Sequence, residues 1–242
     1  MSSPSDEEIV QEHMRVYNIS ERDLLVGERE RVVQVYRRFH MDSRKFDLKA
    51  QETALLIVDM QNHFVHPKGG SWCPQAMRQL PKIKSLIARC RKLGVRVIYT
   101  QTHFADDCVN LFPTRADTIR KERQLYEGTW GAEISQEISP TLEDRVLKTK
   151  HTPDSFVGTD LDFALRDNKV KNLIICGTNT DICCETTARS AFCLHYNVVV
   201  GSDVCSTYYG ESHESALAVL RFGFARVMTS DQIIQELEVG GT

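Results

Sequence analysis

Residues 172–192 read NLIICGTNTDICCETTARSAF. Leu173 to Cys176 run apolar without a break into Gly177, the pattern of a strand buried on both faces of a parallel sheet. After a short polar turn the apolar positions recur on one side only, as on a helix, with Thr180 or Asp181 suited to cap its start. Strand, tight turn and helix in that order open a crossover unit, which makes the chain an α/β protein.

Five similar runs lie outward from it: ALLIVD at 54–59, VRVIYT at 95–100, RVLKT at 145–149, NVVVGS at 197–202 and ARVMTS at 225–230. Amphipathic segments between them predict helices over 74–93, ending at Gly94, then 160–168, 182–195 and 212–222. Six strands alternating with helices predict a doubly wound, six-stranded, mainly parallel sheet with helices on both faces. Ligands bind such folds beyond the carboxyl ends of the strands, where loops and helix N-termini converge.

Residues 1–50 are different in kind. They are rich in charge, hold no convincing strand, and carry Val32, Val33, Tyr36 and Phe39 at helical spacing. Ser5 with Glu8 forms a capping-box pattern, predicting a first helix near 6–17. The expected organisation is an N-terminal helical extension over 1–50 and one main domain over 51–242. The extension is expected to pack on its own domain, with wrapping of a second subunit or covering of a site mouth as the alternative.

Hydrophobic residues at 41% and charged residues at 26% fit an ordinary globular protein. A net charge of −3 gives no general attraction for nucleic acid or an anionic membrane, so the expected partner is a small molecule. The opening MSSPSDEEIVQEHM is acidic where an export signal needs a basic start and an apolar run. No stretch approaches the roughly 20 apolar residues of a membrane span. The cysteines at 73, 90, 108, 176, 183, 184, 193 and 205 are scattered, unlike a disulfide framework. Together these predict a cytoplasmic protein with reduced thiols.

Polar residues just after strands are the candidates for chemistry. Asp59 closes the first run, where a carboxylate either serves a ligand or caps the following turn through Asn62 or His63. Cys183 falls in the first turn of the predicted helix, where backbone N–H groups and the positive end of the dipole would draw a thiol pKa from about 8.5 toward neutrality. The same N–H groups could hold an oxyanion. Cys184 is adjacent, about 100 degrees around the helix, so only one of the pair can face the crevice. Lys150 and Lys148, two positions apart on one strand face, could each bring an ammonium to a thiolate and a carboxylate.

These segments together resemble the isochorismatase-like, or cysteine hydrolase, superfamily over roughly residues 50–238. Asp59, Gln61, Asn62 and Phe64 match its segment after strand one. Lys150, Phe156, Gly158, Thr159, Asp160 and Leu161 match its second segment, which favours Lys150 over Lys148. Gly177, Thr180 and Cys183 match its third, which favours Cys183 over Cys184. The resemblance implies a catalytic triad of Asp59, Lys150 and Cys183. It also implies a non-proline cis peptide at Thr178-Asn179, with Thr178, Asn179 and Cys183 forming the oxyanion turn. Gln61, Phe64, His103, Trp130 and Phe156 are the expected pocket residues.

The resemblance also implies a fold and an activity: an isochorismatase-like hydrolase domain over 51–242 that cleaves an amide or ureide C–N bond through a thioester. An N-carbamoyl or ureidoacrylate-like substrate fits that chemistry, as does a homo-oligomer. The alternatives are vinyl ether hydrolysis with Asp59 as proton donor, or a binding or assembly protein on the same fold. KHTPDSF at 150–156 departs from the family's Lys-x-Arg-Tyr-Ser-x-Phe, removing Arg and Tyr side chains that often line the pocket. His63, His66 and His103 raise the question of a metal. Nicotinamidases in the superfamily use an Asp-x-His pair after strand two, whereas Gln101-Thr102-His103 lacks the Asp. No metal and no cofactor are therefore expected.

Overall fold

The computed structural model describes residues 4–40, 46–105, 116–123 and 125–240. Its six strands are β1 (Thr53–Val58), β2 (Arg96–Thr102), β3 (Arg145–Lys150), β4 (Asn172–Thr178), β5 (Asn197–Ser206) and β6 (Arg226–Met228). They form one sheet in the order β3-β2-β1-β4-β5-β6. Every neighbouring pair is parallel, so the mainly parallel sheet of the sequence reading is wholly parallel. The chain works outward from β1 to β2 and β3, then restarts on the other side of β1 with β4. That reversal opens a crevice above the carboxyl ends of β1 and β4.

The central strand runs are apolar because both faces are covered, whereas the edge strand β3 leaves Arg145, Lys148 and Thr149 exposed. Every residue of β1 and of β4 is buried, and Leu55, Leu56, Ile57, Ile174 and Ile175 have no exposure. Each such side chain contributes about 1.5–3 kcal/mol when taken fully from water. The covering helices are α3 (Asn62–Val65), α4 (Pro74–Lys92), α5 (Ala116–Glu122), α6 (Leu161–Asp167), α7 (Glu185–Cys193), α8 (Gly210–Gly223) and α9 (Ser230–Val239), which follow the N-terminal pair α1 (Asp6–Tyr17) and α2 (Glu28–Phe39). α4 packs with α9 and α7 with α8, each pair also against β5.

Gly177 fixes how closely β4 can approach β1. Its φ is +122°, and a Cβ built there would stand 2.1 Å from the Val58 carbonyl oxygen. Only glycine fits where the chain leaves β4 toward the predicted nucleophile turn.

Several predicted boundaries shift for identifiable reasons. Thr229 and Ser230, read as the end of the last strand, instead start α9. Thr229 accepts from the Gln232 amide while the Gln232 side chain returns to the Thr229 amide, a capping box. β5 runs on to Ser206 because its pairing with β4 resumes past an irregularity, at Gly177 with Cys205. The helix expected over 182–195 begins as a π-turn, Thr180–Cys184, before α7. Its cap is Asn179, without a side-chain bond, rather than Thr180 or Asp181.

At the N-terminus, Ser5 and Glu8 exchange side-chain to backbone bonds at 3.2 and 2.6 Å, starting α1 as the capping box predicts. α1 lies on α2, with Arg29 paired to Glu7 at 2.6 Å. α2 reaches α8, where the Tyr36 and Phe222 rings are 6.2 Å apart. The helical pair thus rests on its own chain. Among the described residues, no helix is long and apolar enough to cross a membrane.

Candidate active site

Asp59 follows the last residue of β1, Lys150 ends β3, and Cys183 sits in the π-turn after β4. Three strand ends therefore deliver these side chains to one point above the sheet. The Lys150 Nζ is the hub. It donates to Asp59 Oδ2 at 2.6 Å, to Thr102 Oγ1 at 3.1 Å and to Cys183 Sγ at 3.7 Å. An ammonium has three protons, and each is directed at one of these partners.

The carboxylate is fixed from the other side. Asp59 takes a left-handed φ of 49°, and its Oδ1 accepts from Thr100 Oγ1 at 2.7 Å. Its backbone N–H donates to the same hydroxyl at 3.1 Å. Neither Asp59 nor Lys150 has any solvent exposure. Two charges taken out of water are tolerable only when paired and hydrogen-bonded as these are. Burial alone would lower the Lys150 pKa, but the neighbouring Asp59 carboxylate and Cys183 outweigh it and hold the ammonium above its ordinary value.

Cys183 corrects one expectation. Burial pushes its thiol up to about 12, and Lys150 with the Asn179 backbone amide offsets only part of that, while Asp59 adds to the rise. The helix-terminus effect that would favour a thiolate is outweighed by desolvation. At rest the group is a neutral thiol beside a carboxylate able to take its proton. Cys184 points the other way: it is fully buried in the core and hydrogen-bonds Cys205. Lys148 is exposed, leaving Lys150 as the lysine in the crevice. The Thr178-Asn179 peptide is cis, at the position the resemblance implied.

A cavity of about 400 Å³ opens onto Lys150, Thr102, Asn179 and Cys183. Phe64, Phe104, Ile119, Leu125, Pro153 and Ile182 give it an apolar wall, and His63, Glu122 and His151 add polar groups. Of the expected pocket residues only Phe64 is part of this lining. Gln61 is fully buried, and its side-chain amide is spent on backbone: it donates to Thr102 O at 3.0 Å and Ala132 O at 2.8 Å, and accepts from Thr102 N at 2.8 Å. The Phe156 ring stacks on Tyr196, 6.0 Å away, and Trp130 meets the edge of His66 at 4.9 Å. His103 turns Nδ1 to the Lys148 carbonyl at 3.0 Å.

The sequence reading missed Phe104, Leu125, Ile182, His151 and Thr102 as cavity residues. Thr102 alone carried a usable signal, since Thr100 and Thr102 share one face of β2 by strand alternation. Among the described residues the donor set lacks the carboxylate of an Asp-x-His pair. Gln101 stands where a ligand carboxylate would be needed, and its amide donates to Ala132 O at 2.8 Å. Among the described residues no group of three or more His, Cys, Asp or Glu side chains could hold an ion. Cys108 lies outside the described residues.

Known proteins resemble this chain over most of its length. Residues 53–232 match the isochorismatase domain. Nicotinamidase 3 of Arabidopsis thaliana is 32% identical over 201 residues, covering 81% of this chain and 94% of that protein. The ureidoacrylate amidohydrolase of Agrobacterium fabrum is 33% identical over 175 residues, covering 64% of this chain and 76% of that protein. A cysteine hydrolase from Pseudomonas syringae pv. phaseolicola superposes with a TM-score of 0.76 at 26% identity, over 81% of this chain and 97% of that one. Likeness that extends through the whole α/β domain, in sequence and in fold, makes this chain a member of the isochorismatase-like cysteine hydrolase family.

Proposed function

We propose that this protein is an amidohydrolase that cleaves the C–N bond of a small amide or ureide through a thioester on Cys183. The observation that carries this is the single buried Lys150 ammonium touching both Asp59 Oδ2 and Cys183 Sγ at the floor of a cavity. Two relatives bear the names of enzymes acting on amide or ureide bonds.

The cycle starts from the neutral thiol. Asp59 takes the Cys183 proton as the sulfur attacks the substrate carbonyl carbon, so a thiolate need never be exposed in the buried site. The oxygen gains negative charge against backbone N–H groups of the turn from Asn179 to Cys183. Lys150 keeps its charge throughout, balancing whichever neighbour is anionic. Collapse breaks the C–N bond, and the proton on Asp59 leaves with ammonia or an amine. Asp59 then takes a proton from water as it attacks the thioester, and the acid departs as sulfur regains a proton.

The cavity's size, near the lower end of that usual for small-molecule sites, suits an N-carbamoyl or ureidoacrylate-like compound. The seven described cysteines are all free, in keeping with a cytoplasmic setting. A homo-oligomer belongs to the same proposal.

The test is ammonia release from a panel of small amides, ureides and nicotinamide, with metals first removed by chelation. Native protein is expected to release ammonia from at least one compound and Cys183→Ala from none. Full activity in Cys183→Ala would refute covalent catalysis, and release that depends on added metal would refute the metal-free site.

A further inference from the structure

We infer that Thr102 is a catalytic residue: its hydroxyl donates a hydrogen bond to the water that hydrolyses the thioester. The inference rests on the thioester mechanism proposed above. It starts from the bonds Thr102 makes. Its Oγ1 accepts one Lys150 proton at 3.1 Å, and its own proton has no acceptor among the described residues. The residue is about nine-tenths buried, at 8% exposure, yet it lines the cavity beside Lys150 and Cys183. A buried hydroxyl proton left unmatched at a cavity wall is a donor waiting for a ligand or a water.

The backbone around it is built to hold that direction. Gln61 clasps the Thr102 peptide from both sides, accepting from its N–H at 2.8 Å and donating to its carbonyl at 3.0 Å. Pairing of β2 with β3 shifts register between Thr100 and Thr102 before resuming at Thr102 with Lys150. Two steps along β2 there oppose three along β3, so the extra residue is on β3 and re-aims Lys150 beside Thr102. A fully buried glutamine with every one of these bonds on backbone is costly to place, and two of the three fix Thr102 while the third ties in Ala132.

Thr102 also supplies what the other groups cannot. The three Lys150 protons are already committed to Asp59, Thr102 and Cys183. A hydrolytic water needs an acceptor for the proton it loses and a donor to steady its remaining lone pair. Asp59 is the acceptor, and Thr102 Oγ1, bonded to the same Lys150 ammonium, is the donor. The water oxygen bonds to the thioester carbonyl carbon and its proton passes to Asp59. The C–S bond then breaks, and that proton returns to the Cys183 sulfur. The Thr102 proton orients the water and is not transferred.

The experiment separates acylation from deacylation, with p-nitrophenyl acetate as the probe. A burst of p-nitrophenolate reads attack by Cys183, the steady phase reads thioester hydrolysis, and intact mass reads the acetyl adduct. Thr102→Val is expected to keep the burst rate within about threefold, to slow the steady phase about 10- to 100-fold, and to accumulate adduct. Thr102→Ser, which retains the hydroxyl, is expected to restore most of the steady rate. Equal loss of burst and steady phases, an unchanged steady phase, or failure of serine to rescue overturns the role of Thr102. If Thr102→Val does not fold, Thr102→Ser against native decides, since a serine variant with impaired deacylation overturns the role. Native protein that forms no Cys183 adduct overturns the thioester mechanism itself, and the role of Thr102 with it.

Discussion

Replacing Lys150 by methionine removes one half of a charge pair that has no contact with solvent. Asp59 is left with the Thr100 hydroxyl on Oδ1 and the neutral Cys183 thiol but no opposite charge, and its carboxylate stays buried. Breaking a buried pair by removing one partner costs about 3–5 kcal/mol, because the surviving charge is unmatched. For a domain of this size each kcal/mol moves the melting temperature by about 2–4 °C, so Lys150→Met should melt roughly 6–20 °C below native. Removing both charges should undo most of that: Asp59→Asn with Lys150→Met is expected to melt above Lys150→Met alone, with a coupling of about 2–3 kcal/mol. Thermal and urea unfolding of the native protein, both single variants and the double variant measure the cycle. A Lys150→Met protein within about 1 °C of native, or a double variant no better than Lys150→Met, would refute the claim that these two charges depend on each other.

The thiol of Cys183, pushed up to about 12 by burial, is neutral at pH 7. Its alkylation by iodoacetamide should therefore rise with pH through 9 and beyond, and a plateau near neutrality would show a thiolate at rest. Gly177→Ala would drive a Cβ to 2.1 Å from the Val58 carbonyl oxygen at a φ of +122°. It should lose about 3 kcal/mol or more, or fail to fold, and a native-like melting temperature would contradict the close approach. Gln61→Ala removes three bonds to buried backbone. A loss of about 2–4 kcal/mol is expected, with kcat reduced more than KM, whereas a selective rise in KM at unchanged stability would return Gln61 to the pocket wall.

The strands were legible because burial on both faces writes itself into consecutive residues, as in Leu55 to Val58 and Leu173 to Cys176. Asp59 stood out as a charge ending such a run, and Lys150 as one ending the shorter, half-exposed β3. The direction of a side chain leaving a strand is another matter. Gln61, His103, Trp130 and Phe156 lie close in sequence to the crevice, yet each is turned to a backbone or ring partner distant along the chain. Strand alternation puts Thr102 on the face of Thr100, but nothing local says that Lys150, 48 positions on, donates to it. The Cys183 thiol was misjudged because the helix-terminus effect is local and the desolvation that outweighs it comes from the packed fold. At the C-terminus, Thr229 and Gln232 form a legible capping box that the strand pattern of the preceding residues masked.

The central claim is that Cys183 carries the acyl group during turnover. Rapid acid quenching with an amide that the protein hydrolyses, followed by intact mass and peptide mapping, reads this directly. The expected result is an acyl adduct on the peptide bearing Cys183, absent from Cys183→Ala and discharged as the acid accumulates. Steady turnover with no adduct at any time, confirmed in a variant whose deacylation is slowed, or an adduct confined to Cys184, would contradict it.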